Sequence, residues 1–312
     1  MSKVVLVTDA GGVLGATLAR TLADGGHRVF AGVDPQREGY RAALTEHAAY
    51  AREHAKSLTG VDLPLGDQRA VEGGVATVVR QAGHIDTVVH VTECAVTGPV
   101  ESFTAYQLTQ MFDRAVLSGQ RVNRAVLPHL RDQGSGRILW VNLRPATAGR
   151  PDVGLVSGFS ALSDRIVAGY ADELTPLGVE VCAVTVEVDR ILLHPELPAD
   201  RGVAEAYAAW PESGAPAAAG WTTPAGRPAG TGPETTVAGQ DEVVAAAIAQ
   251  AVVGLLGHAD PLPCHVLLDG EGRPVMNVTG RSSGRWRSGT PTRRMGPASS
   301  RRWLDCSEGV GD

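Results

Sequence analysis

The chain has 312 residues, of which 43% are hydrophobic and 20% charged, with a formal net charge of −6. That length and apolar content supply one large core or two ordinary ones and exclude global disorder. The negative balance leaves no nucleic-acid footprint on the molecule as a whole, and no apolar run is long enough to read as a membrane span. Met1-Ser2-Lys3 leads straight into an apolar stretch, which argues against a signal or transit peptide, so the expected location is cytoplasmic. Cys94, Cys182, Cys264 and Cys306 lie far apart without a CxxC, so neither a disulfide framework nor a metal site is expected. Asn277-Val278-Thr279 fits a glycosylation sequon and is read as chance, since nothing else points to secretion. Of the 28 basic residues only Lys3 and Lys56 are lysines, so lysine chemistry is confined to the start of the chain.

Short apolar runs alternate with helix-length segments over the first 200 or so positions. Lys3 to Thr8 reads as a buried strand, followed by glycines and an amphipathic helix from Leu14 to Ala23. Arg28 to Val33 is a second strand, and an Ala-rich helix covers Tyr40 to Ser57. Val61 to Leu63 is a short third strand, Gln68 to Ala82 a helix, and Thr87 to Thr92 a fourth strand. A long helix is predicted from Tyr106 to Arg131, a fifth strand from Arg137 to Asn142, a helix from Ser157 to Leu174, and a sixth strand from Val179 to Val186. This alternation implies βαβ units, a parallel sheet and helices on both of its faces.

Composition changes after Pro195. Residues 196–240 read as an Ala/Gly/Pro-rich insertion, with Trp210 and Trp221 as its large anchors, either pinning the loop or capping a pocket. A helix resumes from Asp241 to Leu256, and His265 to Leu268 makes a last short strand. From Gly280 onward the chain holds seven arginines, at 281, 285, 287, 293, 294, 301 and 302, without periodicity. The expected organisation is therefore one α/β domain over residues 1–275 and a basic, disordered tail over 276–312, a candidate for anionic partners.

The first strand runs into Thr8-Asp9-Ala10-Gly11-Gly12-Val13-Leu14-Gly15. A glycine-rich turn between strand and helix lets the backbone approach a pyrophosphate that the helix N-terminus favours. With this turn, Gly26-His27-Arg28-Val29-Phe30-Ala31-Gly32, Val61-Asp62-Leu63, Gly98-Pro99-Val100-Glu101, Ala125 to Leu130, Gly136 to Leu139, and Ala171 to Leu174 through Gly178-Val179 fall in a familiar order. On these residues the chain resembles the short-chain dehydrogenase/reductase family from about residue 3 to 270. The resemblance implies a Rossmann-type doubly wound parallel sheet in a single domain. It further implies NAD or NADP binding, alcohol–ketone interconversion, and a dimer through the helices at 106–131 and 157–174, with a second copy or with an active relative.

The same resemblance implies a catalytic Tyr with Lys four residues later, a Ser and an Asn, which together polarise a carbonyl and relay a proton. None of the five tyrosines (Tyr40, Tyr50, Tyr106, Tyr170, Tyr207) has Lys or Arg four positions on. By alignment the four roles fall on Val156, Ser160, Leu143 and Ala115. For the cofactor, the resemblance assigns Thr8, Gly11, Gly12, Gly15, Asp34, Asp62 and Thr92. Asp34 stands where NADP-dependent relatives carry Arg and would repel a 2′-phosphate, so NAD is favoured. Asp9 replaces the first glycine of the turn and puts a carboxylate against the pyrophosphate, which weakens binding of either.

Candidate replacement chemistry lies at the C-terminal ends of strands five and six: Asn142, Arg144, Glu187 and Asp189, with Glu187 beside Arg144 as an acid/base pair or a solvated ion pair. His194 follows strand six, His90 and Glu93 border the nucleotide cleft, and Ser160 and Asp164 share a helix face at i, i+4. Three functions remain open: a non-catalytic binding or partner protein, an enzyme repurposed for a small lipophilic metabolite, and an NAD(P)-dependent oxidoreductase with relocated groups. Small molecules and protein subunits are the expected partners, with no nucleic acid and no membrane.

Overall fold

A computed structural model describes residues 2–92, 96, 98–145, 153–188, 198–207, 234–257, 261–269 and 271–278. Its core is an eight-stranded sheet built from β1 (Val4–Val7), β2 (Arg28–Val33), β3 (Leu58–Asp62), β4 (Thr87–Thr92), β5 (Gly136–Pro145), β6 (Val179–Val188), β7 (His265–Leu268) and β8 (Pro274–Val278). The order across the sheet is β3-β2-β1-β4-β5-β6-β7-β8. Every pairing is parallel except β7 with β8. After β3 the chain crosses back to place β4 beside β1, so the switch point at which doubly wound sheets open a cleft lies between β1 and β4.

Because both faces are covered, the strands carry continuous apolar runs rather than alternation. In β1 the side chains of Val5 and Val7 enter the core under α1 (Val13–Asp24) and α8 (Glu234–Gly257), beside Leu14, Leu18, Ile248 and Val252. Val4 and Leu6 enter the opposite core, under α3 (Gln68–Ala82), α5 (Ser118–Gln133) and α6 (Gly154–Leu174), with Val75, Val126, Trp140 and Val167. A third, smaller cluster of Val96, Phe103, Met111, Val153 and Val156 lies where α4 (Ala105–Phe112) meets the start of α6.

The predicted strands at 28–33, 87–92 and 265–268 and the helix at 68–82 appear with the expected bounds. That helix is locally encoded: Asp67 accepts from Ala70 N at 2.8 Å as N-cap, and Gly83 closes it in the left-handed region at φ 86°. Elsewhere the structure differs. The helix α2 (Tyr40–Glu53) stops before Ser57 because Ala55 turns left-handed at φ 51°, which frees Leu58 to begin β3. The long helix expected from 106 to 131 is broken by a π-helical turn at Asp113–Leu117, between α4 and α5. A strand unforeseen in the sequence, β8, follows a turn in which Asp269 accepts from Glu271 N and Arg273 N. Gly272 makes that turn at φ 72°. β8 crosses the boundary expected at 275, and α7 (Arg201–Ala206) and the start of α8 lie within the range 196–240. No helix among the described residues is long and apolar enough to cross a membrane.

Candidate functional site

At the tip of β1 the glycine-rich turn is held from three sides. Thr8 donates its N–H to Val89 O at 3.0 Å, and its hydroxyl accepts from Val91 N at 3.1 Å, tying the turn to β4. Ala10 N donates to Gly32 O of β2 at 2.7 Å. Beneath it the buried His47 of α2 donates from Nε2 to Ala10 O at 2.9 Å. Burial pushes the His47 pKa down, so the ring is neutral and this donor tautomer is the one its carbonyl partner requires. Gly15 is obligatory here: a Cβ on it would stand 2.2 Å from Asp9 O.

Asp9 adopts φ 48°, the left-handed conformation that the family's glycine accepts at no steric cost. Its carboxylate is bridged by Arg37 Nη1 at 2.7 Å. Burial raises the Asp9 pKa and the guanidinium opposes that rise. Arg37 also covers Gly11, whose Cβ would meet Arg37 Cδ at 3.0 Å and Val33 Cγ1 at 3.2 Å. The repulsive carboxylate expected from the sequence is thus paired, and its partner lies over the glycine surface that a pyrophosphate would approach.

The two acids at the tips of β2 and β3 are likewise engaged. Asp34 Oδ1 accepts from Gln36 N at 2.8 Å and Oδ2 from Leu65 N at 3.2 Å, clipping the loop after β2 to the loop after β3. Tyr40 donates its phenol to Asp62 Oδ1 at 2.5 Å. Each carboxylate keeps lone pairs for further donors.

Ala115, Leu143, Val156 and Ser160, the four positions aligned with the family's catalytic groups, line one cavity of about 10 Å³, room for about one water molecule. Thr92, Asn142, Phe159 and Ser163 complete its wall. No phenol or cation is among these residues. Ala115 reaches the cavity from the π-helical turn, a distortion that tends to occur at functional positions. Thr92 accepts from Trp140 Nε1 at 3.1 Å. Ser160 Oγ, Ser163 Oγ and Asn142 Oδ1 are buried without a hydrogen-bond partner among the described residues.

Behind the cavity a polar network crosses the α6 face of the sheet. Asp164 Oδ1 accepts from Asn142 Nδ2 at 3.2 Å and from Thr185 Oγ1 at 2.9 Å. His265 Nε2 in turn donates to Thr185 Oγ1 at 2.9 Å, and lies 4.0 Å from Asp164 Oδ2. Burial lowers the His265 pKa, while Asp164 opposes and Arg144 reinforces that shift. Arg144 and Glu187 stand opposite each other in the β5–β6 register and pair at 2.7 Å, half-buried.

The structure therefore brings Thr92, Asn142 and the four aligned positions together, and brings Arg144 to Glu187. It separates Asn142 from that pair, because the amide turns to Asp164. Ser160 and Asp164 make no hydrogen bond with each other among the described contacts. His90 is a core residue, fully buried, donating from Nε2 to Asn123 Oδ1 at 2.8 Å and tilted against Trp140. Glu93, Asp189, His194, Trp210, Trp221 and the arginine-rich tail lie outside the described residues. Sequence reasoning missed Arg37, His47, Thr185 and His265, since each acts through a partner on another element, and Ser163, whose place on the cavity wall only the folded helix α6 reveals.

The family described as short chain dehydrogenase matches residues 3–188. A protein of Streptomyces virginiae named as a monensin polyketide synthase ketoacyl reductase is 30% identical over 188 residues, covering 59% of this chain and 69% of its own length. The matched stretch spans 60–69% of the length of the curated relatives. Among solved structures, a short-chain dehydrogenase from Streptomyces avermitilis shares the fold at a TM-score of 0.62 and 20% identity, over 87% of this chain and 90% of that one. A gluconate 5-dehydrogenase from Burkholderia cenocepacia, solved with NADP and tartrate, matches at a TM-score of 0.54 and 18% identity, over 60% and 72% of the two chains. With the matching profile spanning more than half its length and a Rossmann-type sheet beneath the glycine turn, the chain belongs to the short chain dehydrogenase family.

Proposed function

We propose that this chain is a non-redox member of its family, a binding protein whose inherited cleft takes a small lipophilic molecule. The observation that carries this reading is the lining of the cavity. Polarising a carbonyl needs a phenol or hydroxyl of tuned pKa with a cation beside it, and Val156, Leu143 and Ala115 offer no ionisable or hydrogen-bonding group. Ser160 in place of the lysine removes both the charge that lowers a phenol's pKa and the hold on the nucleotide's ribose.

The proposal includes a residual dinucleotide site made by Thr8, Gly11, Gly12, Gly15, Asp34, Asp62 and Thr92. NAD is preferred over NADP because Asp34 would face the 2′-phosphate, and affinity is weak because Arg37 is held by Asp9. The protein acts as a dimer, with itself or with an active relative, through the side of the molecule carrying α4, α5 and α6. In support, Tyr106 and Leu162 on that side are exposed apolar residues.

A second reading, a repurposed enzyme, is favoured by the Asp164–Thr185–His265 chain beside Arg144–Glu187, which supplies acid and base near the cavity. Both readings meet the same experiment. The purified chain is titrated with NAD and NADP by calorimetry and assayed with alcohol and ketone panels, alone and with an active relative, while sedimentation reports its oligomeric state. Weak NAD binding without turnover by the chain alone supports the proposal. Tight binding with turnover overturns it in favour of an oxidoreductase with relocated groups, and loss of a non-redox activity in Glu187→Ala or Arg144→Ala favours the repurposed enzyme.

A further inference from the structure

The π-helical turn at Asp113–Leu117 closes with Ser118 N donating to Asp113 O, five residues back rather than four. The side chains report the same inserted residue. Arg121 grips Asp113 with two prongs, Nη2 on Oδ1 at 2.5 Å and Nη1 on Oδ2 at 3.0 Å. The two residues are eight positions apart. In an unbroken α-helix such positions lie about 80° apart around the axis, whereas the wider π turn takes up that excess and lets them face each other. The pair is therefore matched to the π register and stabilises it over a regular helix. Arg121 also reaches beyond its own helix. Nη1 carries two hydrogens, and the second goes to Leu65 O at 3.0 Å, in the loop after β3. Leu65 N in turn donates to Asp34 Oδ2 at 3.2 Å. Gln68 Nε2, at the start of α3, braces the junction by donating to Arg121 O at 3.3 Å. A chain of contacts thus runs from the acid after β2, through both backbone groups of Leu65, to the turn that carries Ala115 to the cavity wall.

We propose that Arg121 is a coupling residue, which locks the π register of the turn and ties it to Asp34, so that the two ends of the cleft loosen and tighten together. A ligand group that takes Asp34 Oδ2 from Leu65 N releases the loop after β3, and with it the hold of Leu65 O on the guanidinium. The turn then keeps only its Asp113 grip, and the wall at Ala115 gains freedom to move. The device is a two-state element biased from a distance, and its parts are contiguous hydrogen bonds rather than mere neighbours in space. Lysine cannot replace Arg121, because a single ammonium lacks the planar fork that holds a carboxylate by both oxygens while reaching a carbonyl. The inference goes beyond the binding-protein reading and holds for whatever the cleft takes.

The test uses the full chain without any ligand, so its failure and that of the binding-protein reading are distinguishable. Amide hydrogen exchange by NMR follows the Ser118 N–H, which closes the π turn, with Val5 to Val7 of β1 as the reference for global opening. Arg121→Lys and Asp113→Asn should each speed exchange at Ser118 on the order of tenfold, the loss of one charge-assisted hydrogen bond, and leave the reference amides unchanged. Asp34→Ala, remote from the turn, should speed Ser118 exchange by roughly three- to tenfold in the parent chain and add nothing in the Arg121→Lys background. Ser118 exchange that is unchanged in Arg121→Lys or in Asp34→Ala, equal acceleration of Ser118 and the β1 amides, or an Asp34 effect that persists in full without Arg121 would each overturn the proposal. Asp34→Ala in the parent chain decides the matter where the Arg121 variant does not fold.

Discussion

Replacing Asp9 with glycine acts on the dinucleotide end of the cleft and barely on the fold. Asp9 is held at φ 48° and bridged to Arg37 at 2.7 Å, with side-chain exposures of 16% and 34%. Relief of left-handed strain contributes up to roughly 1 kcal/mol, less for Asp than for most residues. Against this stand the backbone entropy of a new glycine, about 0.5–1 kcal/mol, and a largely buried ion pair whose attraction is offset by desolvation to roughly 0–1 kcal/mol. These terms offset, so Asp9→Gly should shift the melting temperature by only a few degrees. Binding changes more. A carboxylate about 6 Å from a phosphate repels it by about 3 kcal/mol at an effective dielectric of about 20, and solvent screening removes part of that. The freed Arg37 adds a charge-assisted hydrogen bond of about 1.5 kcal/mol or more. A net gain of roughly 1.5–3 kcal/mol is about 10–100-fold in Kd. Calorimetric titration of NAD into both proteins, at low and high salt, measures it. Affinities within about twofold of each other, or an unfolding penalty of several kcal/mol, would refute the assignment of Arg37–Asp9 as the obstacle over the glycine turn.

Other predictions concern the frame around the site. Burial lowers the pKa of His90 to about 4, so its folded form is neutral. The stabilisation is complete above an unfolded pKa near 6.5 and is lost as pH falls through about 4, roughly 3 kcal/mol in all. Urea unfolding at neutral and acid pH should show this component in the parent chain and lose it in His90→Gln. Asp164→Ala leaves Asn142 Nδ2 and Thr185 Oγ1 without their shared acceptor and should cost about 2–3 kcal/mol by the same assay, against little change if the network is ornamental. Gly119→Ala would set a Cβ 2.4 Å from Trp140 Cζ2 and should cost about 1–3 kcal/mol, read by thermal unfolding.

Much of the sheet was legible because its signals are local. The run Val4–Val7 between Lys3 and the glycine turn is too short for a helix and reads as a strand buried on both faces, and Asp67 and Gly83 bracket α3 with their own caps. The π-helical turn was not legible: Asp113–Leu117 has ordinary helical composition, and its distortion appears only in the folded helix. Nor was β8, whose strand character comes from pairing with β7. At the site, the resemblance aligned Ala115, Leu143, Val156 and Ser160 with the family's four catalytic roles, and these residues line one cavity. Which way a side chain turns was beyond reach. Arg37 folds back onto Asp9, His47 reaches Ala10 from a helix 37 positions away, and Asn142 chooses Asp164 over Arg144. Those choices depend on tertiary distances that no periodicity records.

The most direct test of the central claim is a turnover assay on the purified chain with saturating NAD or NADP and a broad panel of secondary alcohols and ketones, followed through the nicotinamide absorbance. The account predicts a rate indistinguishable from that of buffer, in the parent and in Asp9→Gly alike, even where calorimetry shows the nucleotide bound. Sustained turnover by the parent chain would contradict it.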